Sequence, residues 1–304
     1  MSSPDARKHV LCAGIAVVDM LFRVETFPRP EVKTQASEFR TVNGGNAANA
    51  AVAIAHLGAR ASFSGPLGAD MAGDTFLKLA ARQDIDCSAC PRLTEVPTSV
   101  SAICIDARGE RAIANFRDER LAAARPANPA ALVAGVDAVI ADNRFPGYVR
   151  DICAAARARG IPVVLDADEP RHDSNTLFDR VTHVVFSAEG LRATAGTDSL
   201  GRGLIDLSRQ TKSFLAVTDG ANDVLWLDNG ELRQIPAFRV DVVDTLGAGD
   251  TFHGAFTLML AEGMAERPAM RFAAATAALK CTRYGGILGA PSRAEVEAFL
   301  ATHE

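Results

Sequence analysis

Apolar positions cluster first in VLCAGIAVVDMLF, a β-rich run that predicts a buried strand ending near Asp19. A polar stretch with Pro28 and Pro30 follows, and residues 34–42 alternate loosely, as a further strand would. In GGNAANAAVAIAHLGA the residues Ala47, Ala50, Ala51, Ile54 and Leu57 fall on one helical stripe, with Gly58 as the stop. Residues 61–65 then read as a strand and 74–83 as a helix. SVSAICID and RAIANF are two short strands around a Gly109-containing turn, a hairpin outside any strand–helix alternation. From residue 130 onward strands alternate with helices: DAVIAD, a helix near 149–159, PVVLDAD, THVVFS, a helix near 200–210, then FLAVTDG. That order predicts a parallel sheet covered by helices. VLWLDNG and LRQIPAF form a late hairpin, and helices near 251–261 and 267–283 close the chain. The expected fold is therefore α/β, one domain over residues 1–304 with a β-sheet lid from about 20–42 and 98–118.

Composition narrows the function. The 304 residues are 48% hydrophobic and 23% charged, which excludes collagen-like and wholly disordered chains. A net charge of −5 and an aromatic content of 6% argue against a nucleic-acid partner. Six cysteines are scattered, with one CxxC (Cys87 and Cys90) ahead of Pro91 and no further ligand spacing, so they read as reduced thiols of a cytoplasmic protein rather than a zinc or redox site. The run Val10–Val18 after Arg7 and Lys8 imitates a signal peptide, but Asp19 interrupts it and no clean cleavage site follows. No apolar run reaches membrane-spanning length, so no membrane partner is expected.

The chemistry concentrates in VDVVDTLGAGDTFHGAF, residues 240–256. Gly247 and Gly249 flank Ala248, and Asp250 opens a helix with the apolar stripe Phe252, Ala255, Phe256 and Met259. Glycines let amides approach an anion, and a helix start adds unpaired N–H groups. A carboxylate beside an anion hole repels phosphate, yet it makes sense as the base for an attacking hydroxyl. The local pattern serves equally well for a helix N-cap at Asp250. The string is no Rossmann fingerprint, since it reads GAGDTF late in the chain, and the Walker Gly-Lys-Ser/Thr ending is absent.

Asp244-Thr245-Leu246-Gly247-Ala248-Gly249-Asp250 resembles the second signature of the ribokinase-like, pfkB-type carbohydrate kinases. Gly44-Gly45-Asn46-Ala47-Ala48-Asn49 resembles the first, and the two stand in the expected order near opposite ends of the chain. The resemblance implies a three-layer core with a β-sheet lid, ATP and Mg2+ as cofactors, and a sugar as partner. It implies Asp250 as catalytic base and the backbone of Gly247, Ala248 and Gly249 as anion hole. Sugar hydroxyls would be bound by Asp19, Gly45 and Asn49, with Gly44 in the same motif; read alone, Asp19 is a strand-end residue and Asn49 a polar helix position. The nucleotide would meet Thr218 and Gly220, where Asp223 replaces a glycine common in relatives, with Ser187 nearby and Ala278, Cys281 and Gly286 around the adenine. Asp244 and residues 283–286 match a region that holds a monovalent cation, K+, in relatives; a turn-forming role fits Asp244 equally well. Ser187-Ala188-Glu189-Gly190 stands where many relatives have Asn-x-x-Glu, so Mg2+ is expected to be held through water and phosphate.

The strings VVLDADEP, HVVFSAEGL and AALKCTRYGG are most similar to those of sulfofructose kinases, implying transfer to the 1-hydroxyl of 6-deoxy-6-sulfofructose. Lys33, Asn115 and Arg144 match that subfamily's sulfonate-binding set, and a guanidinium fork suits a sulfonate. Read alone, Lys33 is a solvated loop charge and Arg144 a surface ion-pair partner. The alternatives are 2-keto-3-deoxygluconate, fructose or ribose as acceptor, or a silent sugar- or nucleotide-binding relative. The free face of the lid sheet predicts a homodimer through the lid.

Overall fold

The computed structural model describes residues 7–169 and 175–303. In chain order, β1 (His9–Ala13), β2 (Val17–Arg23) and β3 (Glu38–Gly44) lead into α1 (Asn46–His56). Then come β4 (Arg60–Ser64), β5 (Leu67–Gly68), α2 (Met71–Ala81), β6 (Ile85–Asp86) and β7 (Arg92–Leu93). The hairpin β8 (Ser99–Ile105) and β9 (Arg111–Phe116) precedes α3 (Pro129–Leu132), β10 (Ala138–Asp142), α4 (Pro146–Ala158), β11 (Val163–Ala167) and α5 (Asn175–Phe178). The second half carries β12 (His183–Ser187), α6 (Ala188–Ala195), α7 (Leu200–Ser208), β13 (Phe214–Thr218), β14 (Val224–Asp228) and β15 (Glu231–Ile235). It ends with α8 (Ala248–Ala261), α9 (Glu266–Cys281) and α10 (Arg293–Ala301).

Nine strands form one sheet in the order β15-β14-β13-β12-β11-β10-β1-β4-β6. β13 through β6 run parallel, and β14 and β15 add an antiparallel edge. The central strands are apolar along their length because helices bury both faces. Alternation still sorts them: Val10 and Cys12 face a core shared with α1, α8 and α9, whereas Leu11 and Ala13 face one shared with α4, α6 and α7. A second sheet, β3-β2-β8-β9, covers one end as the lid, over a small cluster of Leu21, Val42, Ile103 and Ile105. No described helix is long and apolar enough to cross a membrane.

The leading apolar run is not one strand. It breaks at Gly14 into β1 of the main sheet and β2 of the lid, so Asp19 stands in mid-strand rather than at a strand end. A side chain at Gly14 is impossible, because its Cβ would lie 1.9 Å from Asp142 Oδ2. That same oxygen accepts the Ile15 amide at 2.8 Å, which fixes the turn from core to lid. The helix expected from residue 251 starts three residues earlier, at Ala248. Gly247, with φ 79°, supplies its left-handed N-cap. All six cysteines are free. Cys87 and Cys90 share one tight turn, in which the Cys90 amide donates to the Cys87 carbonyl at 3.0 Å and Cys90 Sγ donates to the Phe63 carbonyl at 3.5 Å.

Candidate active site

The alanine-rich face of α1 exists so that α8 can come close. A Cβ at Gly254 would lie 2.8 Å from the Ala50 carbonyl oxygen, so the two backbones are nearly in contact. This approach sets Asn49 of α1 beside Asp250 in the first turn of α8, and Asn49 Nδ2 donates to Asp250 Oδ2 at 2.7 Å. The other amide atom, Asn49 Oδ1, is buried with no hydrogen-bond partner. Both residues open on a cleft of about 390 Å³ between the sheet end and the lid. Burial raises the Asp250 pKa to about 7, the Asp166 charge adds to this, and the Asn49 bond opposes it.

Asp19 enters the same cleft from β2 of the lid. Gly44 on β3, paired with Val17 of β2, has no room for a side chain: a Cβ would lie 2.2 Å from the Asp19 carboxylate. Burial lifts the Asp19 pKa to about 6, against a hydrogen bond from Ser101 on β8. Gly45, with φ 96°, turns the chain into α1 and lines the cleft. Asn115 of β9 also lines it and donates to Ser101 Oγ at 3.1 Å.

The loop before α8 is built around Asp244. Its Oδ1 accepts the Leu246 amide at 2.8 Å, and its Oδ2 accepts those of Gly285 and Gly286 at 3.1 and 2.8 Å. The Ala248 amide, expected in the anion hole, instead donates to the Thr245 carbonyl at 3.2 Å, because the turn closes on itself there. Among the described residues, the amides of Gly247, Gly249 and Asp250 find no acceptor. A Cβ at Gly249 would meet nothing within 4 Å beyond its chain neighbours and the backbone of its own helix, so the space over this turn is open to a ligand. Unspent amides at a helix start facing open space form an anion cradle.

Several lining residues escaped the sequence reading: Asn46, Asp166, Asp168, His253, Arg111 and Arg117. Asp166 and Asp168 sit at the carboxyl end of β11, where open α/β sheets bind ligands, and that position was the available signal. Asp166 is buried and its pKa is raised well above the carboxylate range, by desolvation first and by Asp168 second. Asn46 Nδ2 donates to Asp166 Oδ2 at 3.0 Å, while Asp166 Oδ1 has no partner. His253 Nδ1 lies 2.7 Å from the Gly249 carbonyl, one turn along α8.

The expected anion-binding set is divided. Arg144 lines the cleft but is paired with Asp168 and Glu169, and Arg117 pairs with Glu169 at 3.1 Å. Lys33 is exposed on the connection from β2 to β3 and does not line the cleft. Of the nucleotide set, Ser187 and Thr218 line the cleft. Ser187 Oγ also caps α6, accepting the Gly190 amide at 3.0 Å. Gly220 lies two residues beyond Thr218 with φ 56°. Ala278, Cys281 and Gly286 do not line the cleft. The Cys281 carbonyl accepts the Val243 and Asp244 amides, and the Gly286 amide is spent on Asp244, so the backbone at both positions holds the loop.

Residues 7–293 match the family model described as pfkB family carbohydrate kinase. A Bacillus subtilis ribokinase is 27% identical over 97% of this chain and 100% of its own. Among solved structures, a provisionally named ribokinase from Agrobacterium tumefaciens has 38% identity and a TM-score of 0.94, covering 98% of this chain and 99% of that one. A Xylella fastidiosa fructokinase solved with bound ATP has 25% identity and a TM-score of 0.78, covering 98% and 99%.

Proposed function

The chain belongs to the pfkB family of carbohydrate kinases, and from that premise we propose that it phosphorylates a primary hydroxyl of a neutral ribose- or fructose-like sugar. It is an ATP-dependent carbohydrate kinase; what is proposed is the acceptor and the work of each residue. The Asn49–Asp250 pair carries the reading. A carboxylate with a pKa near 7 is suited to accept a hydroxyl proton, and the unpartnered Asn49 Oδ1 beside it is an acceptor for a second hydroxyl. Asp19 would hold vicinal hydroxyls from the lid side. The amides of Gly247, Gly249 and Asp250 would receive the charge on the transferring phosphoryl group.

Magnesium, when bound with the nucleotide, neutralises phosphate charge. Among the described residues no group of three or more His, Cys, Asp or Glu forms a cation cage. The unpartnered Asp166 Oδ1, with Asp168, would therefore hold it partly, water and phosphate supplying the rest. Residues about 20–42 and 98–118 would serve as the lid of a single kinase unit. The lid's outer face, with Phe39 and Phe116 about half exposed, would pair two copies, which light scattering reads.

A second reading, 6-deoxy-6-sulfofructose as acceptor, is favoured by the placement of Arg111, Arg117, Arg144 and Asn115 along one cleft. Against it, Arg117 and Arg144 already have carboxylate partners and Lys33 stands outside. An ADP-release assay with ribose, fructose, 2-keto-3-deoxygluconate and sulfofructose decides. The neutral-sugar reading requires the highest kcat/KM on ribose or fructose, and a sulfofructose preference overturns it. ATP binding without turnover of any sugar would mark a silent relative.

A further inference from the structure

Lys280, in the last turn of α9, is fully buried, although lysine is rarely so. Its ammonium donates to the Asp244 carbonyl oxygen at 2.7 Å and lies 3.6 Å from Asp244 Oδ1. Burial pulls its pKa down, and the Asp244 carboxylate opposes that. An ammonium taken out of water is costly unless it is paired and hydrogen-bonded, so its place in the fold needs a reason.

The reason lies in what Asp244 holds. Its two carboxylate oxygens accept amides from Leu246, Gly285 and Gly286, and its own amide donates to the Cys281 carbonyl. One buried carboxylate thus ties the run entering the Gly247–Asp250 turn to the end of α9 and to the glycine pair after it. Three amides supply partial charge only; the full positive charge comes from Lys280.

The monovalent cation implied at Asp244 and residues 283–286 by the family resemblance does not fit this arrangement. The carbonyl and carboxylate oxygens of Asp244 that such an ion would take already face an ammonium. We propose that Lys280 is a built-in cation for the Asp244–Asp250 loop, a positioning residue that makes this kinase independent of added potassium. Lys280 does not line the cleft, so it acts through Asp244 and the loop.

The test compares wild type with Lys280→Ala in potassium, ammonium and tetramethylammonium chloride at one ionic strength. Wild-type kcat should be the same in all three salts; activation by potassium overturns the proposal. Lys280→Ala should lose about 100-fold in kcat in tetramethylammonium, the scale of a misplaced reacting group, and regain activity in potassium or ammonium. A folded variant with wild-type kcat, or a loss that no cation restores, makes Lys280 a packing residue and overturns it. The kinetic arm rests on the kinase reading, whereas thermal melting needs no sugar. Wild-type Tm should be equal in potassium and tetramethylammonium, and the variant's should rise in potassium or ammonium. A wild-type Tm raised specifically by potassium counts against the proposal even if Lys280→Ala fails to fold.

Discussion

Asp250→Asn separates the two roles open to this side chain. The amide keeps the shape, and its Oδ1 can still accept from Asn49 Nδ2, so the cleft and the start of α8 persist. It cannot take the hydroxyl proton, and loss of a general base costs about 10²–10⁴-fold in kcat. The structure adds a second, independent readout. The native carboxyl ionises near 7 rather than at the usual 3.8. A pKa raised in the folded state stabilises the protein below the unfolded value and loses that stabilisation as pH rises through the folded one. At about 1.4 kcal/mol per pH unit, the gap sets a ceiling of about 4 kcal/mol, lowered by the residue's partial contact with solvent. Asp250→Asn should therefore melt higher than wild type at about pH 8, with the advantage shrinking toward about pH 5. Wild-type kcat, read by coupled ADP release, should rise through a midpoint near 7 as the base ionises. A variant keeping more than half of wild-type kcat would reduce Asp250 to a helix-start residue. A stability difference independent of pH would show that its pKa is not raised.

Gly249→Ala should leave Tm unchanged, because its Cβ meets nothing beyond its chain neighbours and the backbone of its own helix, yet lower kcat by about 10-fold or more through a methyl in the phosphate path; a drop in Tm matching the loss of activity would count against an open cradle. Gly44→Ala drives a Cβ into the Asp19 carboxylate and should raise KM for the sugar while KM for ATP holds, as steady-state kinetics on both substrates will read. Arg144→Ala leaves Asp168 without one of its partners. With a neutral acceptor it should impair fructose and sulfofructose alike, whereas a loss confined to sulfofructose, worth about 2–5 kcal/mol in kcat/KM, would reinstate the sulfonate reading.

Legibility followed the range of the interaction. Asp250 and its glycines stand within four residues of each other, and Gly44 to Asn49 within six, so local pattern and resemblance together found them. The alternation of strands and helices after residue 130 reflects burial on both faces of a sheet, a property each segment carries alone. The break at Gly14 was hidden because its cause, the Asp142 carboxylate, lies far along the chain. For the same reason Asp166 and Asp168 looked like any strand end until the sheet brought β11 beside β12 and α8 across it. The Ala248 amide and the placement of Lys33 depend on a turn and a loop path that composition does not encode.

Charge balance bears on the acceptor more strongly than any single contact. Asp19, Asp166, Asp168 and Asp250 line one cleft with Arg111, Arg117 and Arg144. Burial raises the pKa of Asp19, Asp166 and Asp250, which lowers the negative charge the cleft carries at neutral pH. Asp168 and Glu169 answer Arg144, and Glu169 also answers Arg117. On the proposed reading, a neutral polyol would leave these pairs undisturbed and meet the unpartnered Asn49 Oδ1 and the carboxyl groups of Asp19 and Asp250. An anionic acceptor that recruited Arg117 or Arg144, rather than Arg111 with its bond to Thr245 Oγ1 at 3.3 Å, would draw that guanidinium from its carboxylate and strand Asp168 or Glu169 in a partly buried position, and losing one partner of such a pair costs more than the pair contributes. The positive charge left to the nucleotide's phosphates is then Arg111 and the start of α8, with its spare amides at Gly247, Gly249 and Asp250.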